Sequence, residues 1–219
     1  MTRRVICISR TTAAGGETIG QAVAARLGFR FVDEQIIFRA AELARVDPKL
    51  IAAAEEWQPL LRRLVDKLGA AQALLGTAAL GTLLPVGGVL TETARTKLAE
   101  DDARALIRAA IHEVAAQGQA VIVAHAASLA LAAVPGVLRV LVTASVETRT
   151  RRAVEGGNLS EQAAAALIAK SDRGRQEYLR RFYGIDEERP TLYDVVVNTD
   201  VLTAEESADL IVGAARSGA

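Results

Sequence analysis

Residues that could bind a phosphate group follow the first apolar segment of the chain. Gly15 and Gly16 lie next to each other shortly after Ile8, directly before a stretch with helical spacing. A strand, a glycine-containing turn and a helix direct backbone N–H groups at an anion, and the helix dipole assists them. The usual form of such a loop, G-x-x-x-x-G-K-[ST], has a lysine where this chain has Gly16. The loop by itself therefore fits two interpretations, an anion-binding loop and a plain turn from strand to helix.

Three side chains beside these glycines would change the affinity of the loop for phosphate. Arg10 stands at the first glycine of that motif and could replace the missing positive charge from a different place. Thr18 could offer its hydroxyl to Mg²⁺ or to a phosphate oxygen. Glu17 would favour the helix through its dipole but would repel phosphate. These side chains leave both interpretations open.

Two groups of arginines further along the chain could bind the other phosphate oxygens, because a planar guanidinium can bind two of them at once. Arg149 and Arg152 are three residues apart and share one face of a predicted helix. The second group places five ionic side chains and a phenol within ten residues: Asp172, Arg173, Arg175, Tyr178, Arg180 and Arg181. Asp172 is three residues from Arg175 and could hold that guanidinium by a local ion pair. Basic solvated helices are the alternative.

Short apolar segments rich in β-branched residues alternate with alanine-rich segments of helical spacing. The predicted strands are residues 4–9, 29–33, 120–124, 138–143 and 194–198. Gly28 fits the end of the first helix, and Thr203 with Glu206 fits a capping box at the start of the last. This alternation predicts a parallel sheet covered by helices on both faces. The chemistry should therefore follow the strand ends, after Ile8, Val32, Val123, Val142 and Val197.

Composition limits the class of protein. A chain of 219 residues that is 51% hydrophobic can bury one full core. The 26 basic and 26 acidic residues cancel, so net charge gives no sign of a nucleic-acid or membrane-surface partner. Cys7, the single cysteine, lies in an apolar segment and is expected to be a core residue in a reducing cytoplasm. The first residues show no signal-peptide pattern.

An uncharged stretch at 69–91 is long enough to span a bilayer. It contains Gln72 and Pro85, is rich in Ala, Gly and Thr, and lacks aromatic anchors at its ends. These features favour a helix packed in a core or in a homodimer interface over a transmembrane helix. We expect a homodimer formed through this segment.

The chain resembles the cytidylate kinase-like family, relatives of bacterial cytidylate kinase within the P-loop nucleoside monophosphate kinases. Residues 9–20, SRTTAAGGETIG, are similar to the family loop S-R-x-x-G-S-G-G-x-x-I-G, which also lacks the lysine. Residues 27–39 are similar to L-x-x-x-x-L-D-S-G-A-I-Y-R, and residues 120–128 occupy the place of V-I-V-G-R-G-A. The longest match, residues 171–199, follows S-D-R-x-R-x-x-Y-x-x-x-F-Y-G and then Y-D-x-V-I-N-T.

The resemblance implies roles for particular residues. Those that would bind the phosphates of ATP are Arg10, Gly15, Gly16, Glu17, Thr18, Arg149 and Arg152, with Thr18 also directed at Mg²⁺. Asn198 would lie near the purine. Those that would bind the acceptor are Asp33, Arg39, His125, Asp172, Arg173, Arg175 and Tyr178, of which Asp33, Arg39 and Arg173 would act in catalysis. From the residues alone, Arg39 also fits a solvated arginine and His125 a structural histidine.

The fold that the resemblance implies is a three-layer α/β P-loop kinase-like domain at 1–219. It has a five-stranded parallel sheet with helices on both faces, a helical insertion at about 52–104 and a lid at about 149–190. The implied function is ATP- and Mg²⁺-dependent phosphoryl transfer to a nucleoside monophosphate, CMP or dCMP. The alternative is a catalytically impaired kinase-like module that binds a nucleotide or a protein partner. Ala13, Ala14, Glu17 and His125, which weaken the phosphate contacts, favour that alternative.

Overall fold

The structure is a computed structural model in which the described residues are 3–33, 105, 107–123, 126–157 and 159–217. The chain divides into two compact units, residues 1–34 with 111–219 and residues 35–110. All five strands described below belong to the first unit. The predictions that fall outside the described residues, and stay predictions, concern Arg39, His125, the insertion at 52–104 and the apolar segment at 69–91.

Five strands form one parallel sheet in the order β2-β3-β1-β4-β5. Their bounds are Val5–Arg10 for β1, Arg30–Val32 for β2, Ala120–Val123 for β3, Val137–Thr143 for β4 and Val195–Asn198 for β5. The central strand is β1, in which Cys7 lies opposite Ile122 of β3 and Arg139 of β4. The predicted strands and their parallel arrangement are confirmed, each within a few residues of the predicted ends.

Helices cover both faces of this sheet. Their bounds are Gly16–Leu27 for α1, 107–117 for α2, Ala127–Ala130 for α3, Val146–Gly157 for α4, Glu161–Tyr183 for α5 and Ala204–Ser217 for α6. One face carries α1 and α6, which pack together over the fully buried Ile6 and Ile8. On the other face, Ser9 Oγ of β1 donates to Ser128 Oγ of α3 at 3.0 Å. The three-layer α/β architecture is therefore confirmed.

Local signals at the helix ends agree with the prediction. Gly28 follows α1 with a left-handed φ of 66°, and its amide donates to carbonyls of the last turn. At the start of α6, the Glu206 carboxylate accepts from the Thr203 amide at 2.9 Å and Thr203 Oγ1 accepts from the Glu206 amide at 3.2 Å. These reciprocal bonds form the predicted capping box. Within the described part of the chain, no helix is both long and apolar enough to cross a membrane.

The loop between β1 and α1 has an unusual backbone. The Thr11 amide donates to Val142 O at 3.1 Å, and the Ala14 amide then turns back to Thr11 O at 3.1 Å. Two residues of the turn are left-handed, Ala13 with φ of 63° and Gly15 with φ of 81°. A side chain costs roughly 1–2 kcal/mol in this conformation, so Ala13 is strained where glycine would not be.

Replacing Ala13 by glycine should therefore stabilise the protein. We expect A13G to raise the free energy of unfolding by about 0.5–1 kcal/mol, since the relief of strain exceeds the greater entropy that glycine gives the unfolded chain. Equilibrium urea unfolding measures the difference. The control is A14G, at a neighbouring buried position with no left-handed φ, which should lower stability instead. A destabilising A13G would contradict this account of the turn.

Candidate functional site

The carboxyl ends of three strands are joined directly to one another. The Thr11 amide after β1 bonds the Val142 carbonyl near the end of β4. The Thr199 amide after β5 bonds the Thr143 carbonyl at 2.9 Å. Thr199 Oγ1 also donates to the Ala14 carbonyl at 2.9 Å. Three of the five strand ends predicted to carry chemistry thus meet around the loop that precedes α1.

Four backbone amides at this edge lack an acceptor in the described part of the chain. They belong to Gly15, Gly16, Glu17 and Thr18, at the first turn of α1. Gly15 caps the helix without a side-chain hydrogen bond, so no protein group among the described residues competes for these donors. Unsatisfied amides at the positive end of a helix dipole attract an anion. The arrangement therefore favours the anion-binding interpretation of the loop.

Arg10 occupies the space beside the position of the missing lysine. A Cβ placed on Gly16 would lie 2.7 Å from Arg10 Cβ and 3.0 Å from Arg10 Cδ. Any side chain at position 16 would therefore require Arg10 to move. Among the described residues, the Arg10 guanidinium has no hydrogen-bond or ion-pair partner. A cationic side chain thus lies across the start of α1 with its charge available to a ligand.

Arg152 is linked to the loop before α1 through Thr199. Its Nη1 donates to Thr199 Oγ1 at 2.9 Å, and its Nη2 donates to Thr199 O at 2.7 Å. Thr199 is buried, and its hydroxyl in turn donates a hydrogen bond to the Ala14 carbonyl. The sequence predicted Arg152 at the ATP phosphates and Asn198 near the purine. In the structure Arg152 contacts the loop through Thr199, and Asn198 Oδ1 accepts from the Asp200 amide at 3.0 Å.

Arg149 and Asp172 form a bidentate ion pair between α4 and α5. Nη1 and Nη2 donate to the two carboxylate oxygens at 2.8 and 2.7 Å, and Nε donates to Ala144 O at 3.1 Å. Arg149 is only 4% exposed. The predicted local pair of Asp172 with Arg175 is therefore wrong. The fork of Arg149 matches both oxygens of Asp172, a geometry that a neighbour three residues away on the same helix does not offer.

Arg175 is bound by two residues that the sequence analysis did not identify. Its Nε and Nη2 donate to Glu188 at 2.7 and 2.5 Å, and Tyr193 OH lies 3.5 Å from Nη2 and donates to the same carboxylate. Burial would lower the pKa of Arg175, but the hydrogen bonds and charge of Glu188 outweigh burial and raise it. Burial would raise the pKa of Glu188, which Arg175 nevertheless holds below its usual range. Burial and the bond to Glu188 raise the pKa of Tyr193 to about 12.

The other predicted site residues lie in different surroundings. Arg173 is exposed on α5, and no described residue bonds its guanidinium. Tyr178 packs on the same helix against Phe182, with ring centroids 4.8 Å apart. Asp33 is half-buried after β2, which β3 separates from β1. Glu17 and Thr18 are exposed at the start of α1.

Cys7 has the character predicted for a core residue. It is fully buried in β1, and burial raises the pKa of its thiol to about 12. The nucleophilic thiolate is therefore absent at neutral pH. The prediction that Cys7 is a core residue is therefore confirmed.

Comparison with known proteins identifies the family of the chain. Residues 5–201 match the model of the cytidylate kinase-like family. The cytidylate kinase of Aeropyrum pernix is 31% identical over 157 residues, which are 71% of this chain and 90% of that protein. The cytidylate kinase of Sulfolobus acidocaldarius is 34% identical over 76 residues, 35% of this chain. That match spans only 42% of the length of the relative.

Solved structures agree with the fold. An uncharacterized protein from Eubacterium ventriosum superposes with a TM-score of 0.61 at 15% identity, over 97% of this chain and 98% of that one. A sugar kinase from Janibacter sp. gives a TM-score of 0.51 at 13% identity, over 96% of this chain and 92% of that one. At these identities the likeness shows the fold alone. Because the family model matches a segment that contains all five strands and the loop before α1, the chain belongs to the cytidylate kinase-like family.

Proposed function

We propose that the chain catalyses ATP- and Mg²⁺-dependent transfer of a phosphoryl group to a nucleoside monophosphate, with CMP or dCMP as the acceptor. The observation that carries the proposal is the set of unsatisfied amides at Gly15–Thr18 with the unpaired Arg10 across them, as far as the described residues extend. This combination of donors and positive charge fits the phosphates of a nucleotide. Family membership supports the reaction class.

On the ATP side, the loop would receive the phosphates and Arg10 would supply the charge that lysine supplies in the usual motif. The exposed Thr18 hydroxyl, in the first turn of α1, would join phosphate oxygens and water around Mg²⁺, a cation that takes oxygen ligands and keeps several waters. Within the described residues, no cluster of three acidic, histidine or cysteine side chains offers an alternative metal site. Asn198 at the end of β5 remains our candidate for contact with the purine.

On the acceptor side, α5 would present the charged groups. Arg173 is exposed and unpaired within the described chain, so its guanidinium is free to bind the acceptor phosphate. Arg149 fixes the orientation of the neighbouring Asp172, whose side chain is still 37% exposed and able to bind sugar or base hydroxyls and amines. Asp33 would orient the acceptor from the end of β2, together with Arg39 and His125.

Phosphoryl transfer requires mainly alignment of the reactants and compensation of negative charge, and no nucleophilic side chain. In this chain Arg10, Arg173 and the loop amides would compensate the charge. Arg152 and Thr199 would hold the loop while this occurs. The proposed reaction has no role for Cys7, which is buried.

The alternative function is a kinase-like module that binds a nucleotide or a protein without turnover. Two observations favour it: the strained Ala13 in the loop and the exposed carboxylate of Glu17 beside the free amides. Both would reduce affinity for a polyphosphate. A homodimer formed through 69–91 and a cytoplasmic location are compatible with either function and stay predictions from sequence.

Removing Arg173 should abolish most of the acceptor-dependent activity. We expect purified protein with Mg²⁺-ATP to release ADP when a nucleoside monophosphate is added, fastest with CMP or dCMP. R173A should lower kcat/KM for the acceptor about a hundredfold, because it removes charge that stabilises the transferred group. The matched control is R151A, which removes an arginine 66% exposed on α4 and should react at the wild-type rate.

Equal rates for wild type and R173A would show that the kinase proposal is wrong. Calorimetric titration with ATP alone would then test the binding module, which requires saturable affinity. Activity with a different phosphate acceptor, still dependent on Arg173, would retain the reaction class and correct the acceptor.

Glu17 should weaken ATP binding by repulsion. We expect E17A to bind ATP about two- to fivefold more tightly in calorimetry, because a charge in the first turn of a helix contributes about 0.3–1 kcal/mol. The control is E161A, which removes an exposed carboxylate from the first turn of α5. It should leave the affinity for ATP unchanged. Weaker binding by E17A would contradict the electrostatic account of this position.

A further inference from the structure

Arg175, Glu188 and Tyr193 form a half-buried cluster, which we call the α5 clamp. Their hydrogen bonds join α5 to the segment between α5 and β5. The side chains of Arg175 and Glu188 are only 11% and 18% exposed, so solvent screens their charges weakly. The reaction as described above does not use Glu188 or Tyr193.

The clamp fixes α5 to the backbone beside the phosphate loop. Arg175 Nη1 donates to the Arg10 carbonyl at 3.3 Å, at the end of β1. One turn earlier on α5, the Ser171 hydroxyl shares a hydrogen bond with Thr12, with the oxygens 2.5 Å apart. Asp172 and Arg173 lie between these two attachment points. The position of the acceptor-binding groups is therefore set by how firmly α5 is held here.

We propose that Glu188 and Tyr193 are positioning residues of the phosphoryl-transfer site, which hold Arg175 so that α5 keeps Asp172 and Arg173 in register with the phosphate loop. The inference rests on the proposed function for its kinetic consequence. Its structural part, the docking of α5 by the clamp, is testable in the absence of any activity.

The charge of Glu188 matters more than its volume for this role. A carboxylate accepts from both Nε and Nη2 of Arg175 while it also accepts from Tyr193 OH. A glutamine of the same shape has one acceptor oxygen and would turn an N–H group towards the guanidinium. The guanidinium would then lose the bidentate contact that fixes its rotation, and its bond to the Arg10 carbonyl would loosen.

The kinetic test compares E188Q and Y193F with E187Q. Glu187 is the neighbouring carboxylate, 72% exposed and paired with Arg189, so E187Q removes an equal charge without touching the clamp. We expect E188Q to lower kcat about tenfold or more while KM for ATP stays nearly constant, because misplacement of the acceptor groups impairs alignment and leaves the loop amides intact. Y193F, the milder variant, should lower kcat about threefold by removing one hydrogen bond.

The activity-independent test is amide hydrogen exchange of the unliganded protein. In E188Q the amides of α5 from Ser171 to Arg180 should exchange at least about tenfold faster than in E187Q, with the sheet amides unchanged. Faster exchange in E188Q would support the clamp even if no acceptor were phosphorylated and the proposed function failed. Exchange in α5 equal to that of E187Q would overturn the inference. So would a loss of kcat in E188Q that matches the unfolded fraction measured by circular dichroism.

Discussion

The site depends on four backbone amides at Gly15–Thr18 that no described residue satisfies. These donors have no intrahelical partner because the α1 helix has just begun and its first turn has no earlier helical carbonyls to bond. The position of this turn depends on where the β1 strand ends. The contacts of Thr11 with β4 and of Ala14 with Thr199 fix that place. The sheet, the loop and the start of α1 therefore together set the positions of these four donors.

The arginines of the site divide into two kinds. Arg149, Arg152 and Arg175 are each engaged by protein acceptors, and they hold α4, α5 and the loop in place. Arg10 and Arg173 have no partner for their guanidinium groups among the described residues. A cluster of guanidinium groups would otherwise repel itself. Ion pairs with Asp172 and Glu188 offset the charges of Arg149 and Arg175, and Arg152 is hydrogen-bonded to Thr199.

Sequence patterns predicted the elements well and the pairing of side chains poorly. Period and β-branched content located the five strands, because strands covered on both faces consist mostly of apolar residues. The Thr203 capping box located a helix start. The pair of Asp172 with Arg175 failed because helical spacing reports only neighbours on one helix, whereas α4 brings Arg149 against α5. Glu188 and Tyr193 reach Arg175 only after the chain turns back at Gly184 and through a 3-10 turn at Pro190–Leu192. Patterns of nearby residues in the sequence do not predict contacts formed after such a reversal of the chain.

Ala13 keeps a left-handed backbone although it is not a glycine. A non-glycine residue stays left-handed only where its surroundings leave it no alternative. Here they do so from both sides: Arg152 and Thr199 hold the carbonyl of Ala14, and Ser171 holds the hydroxyl of Thr12. Without these contacts, the backbone at Ala13 could leave the left-handed conformation and relieve its strain. The strained backbone at Ala13 is therefore maintained by contacts from α5 and from Thr199, and these contacts fix the direction of the amides that follow it.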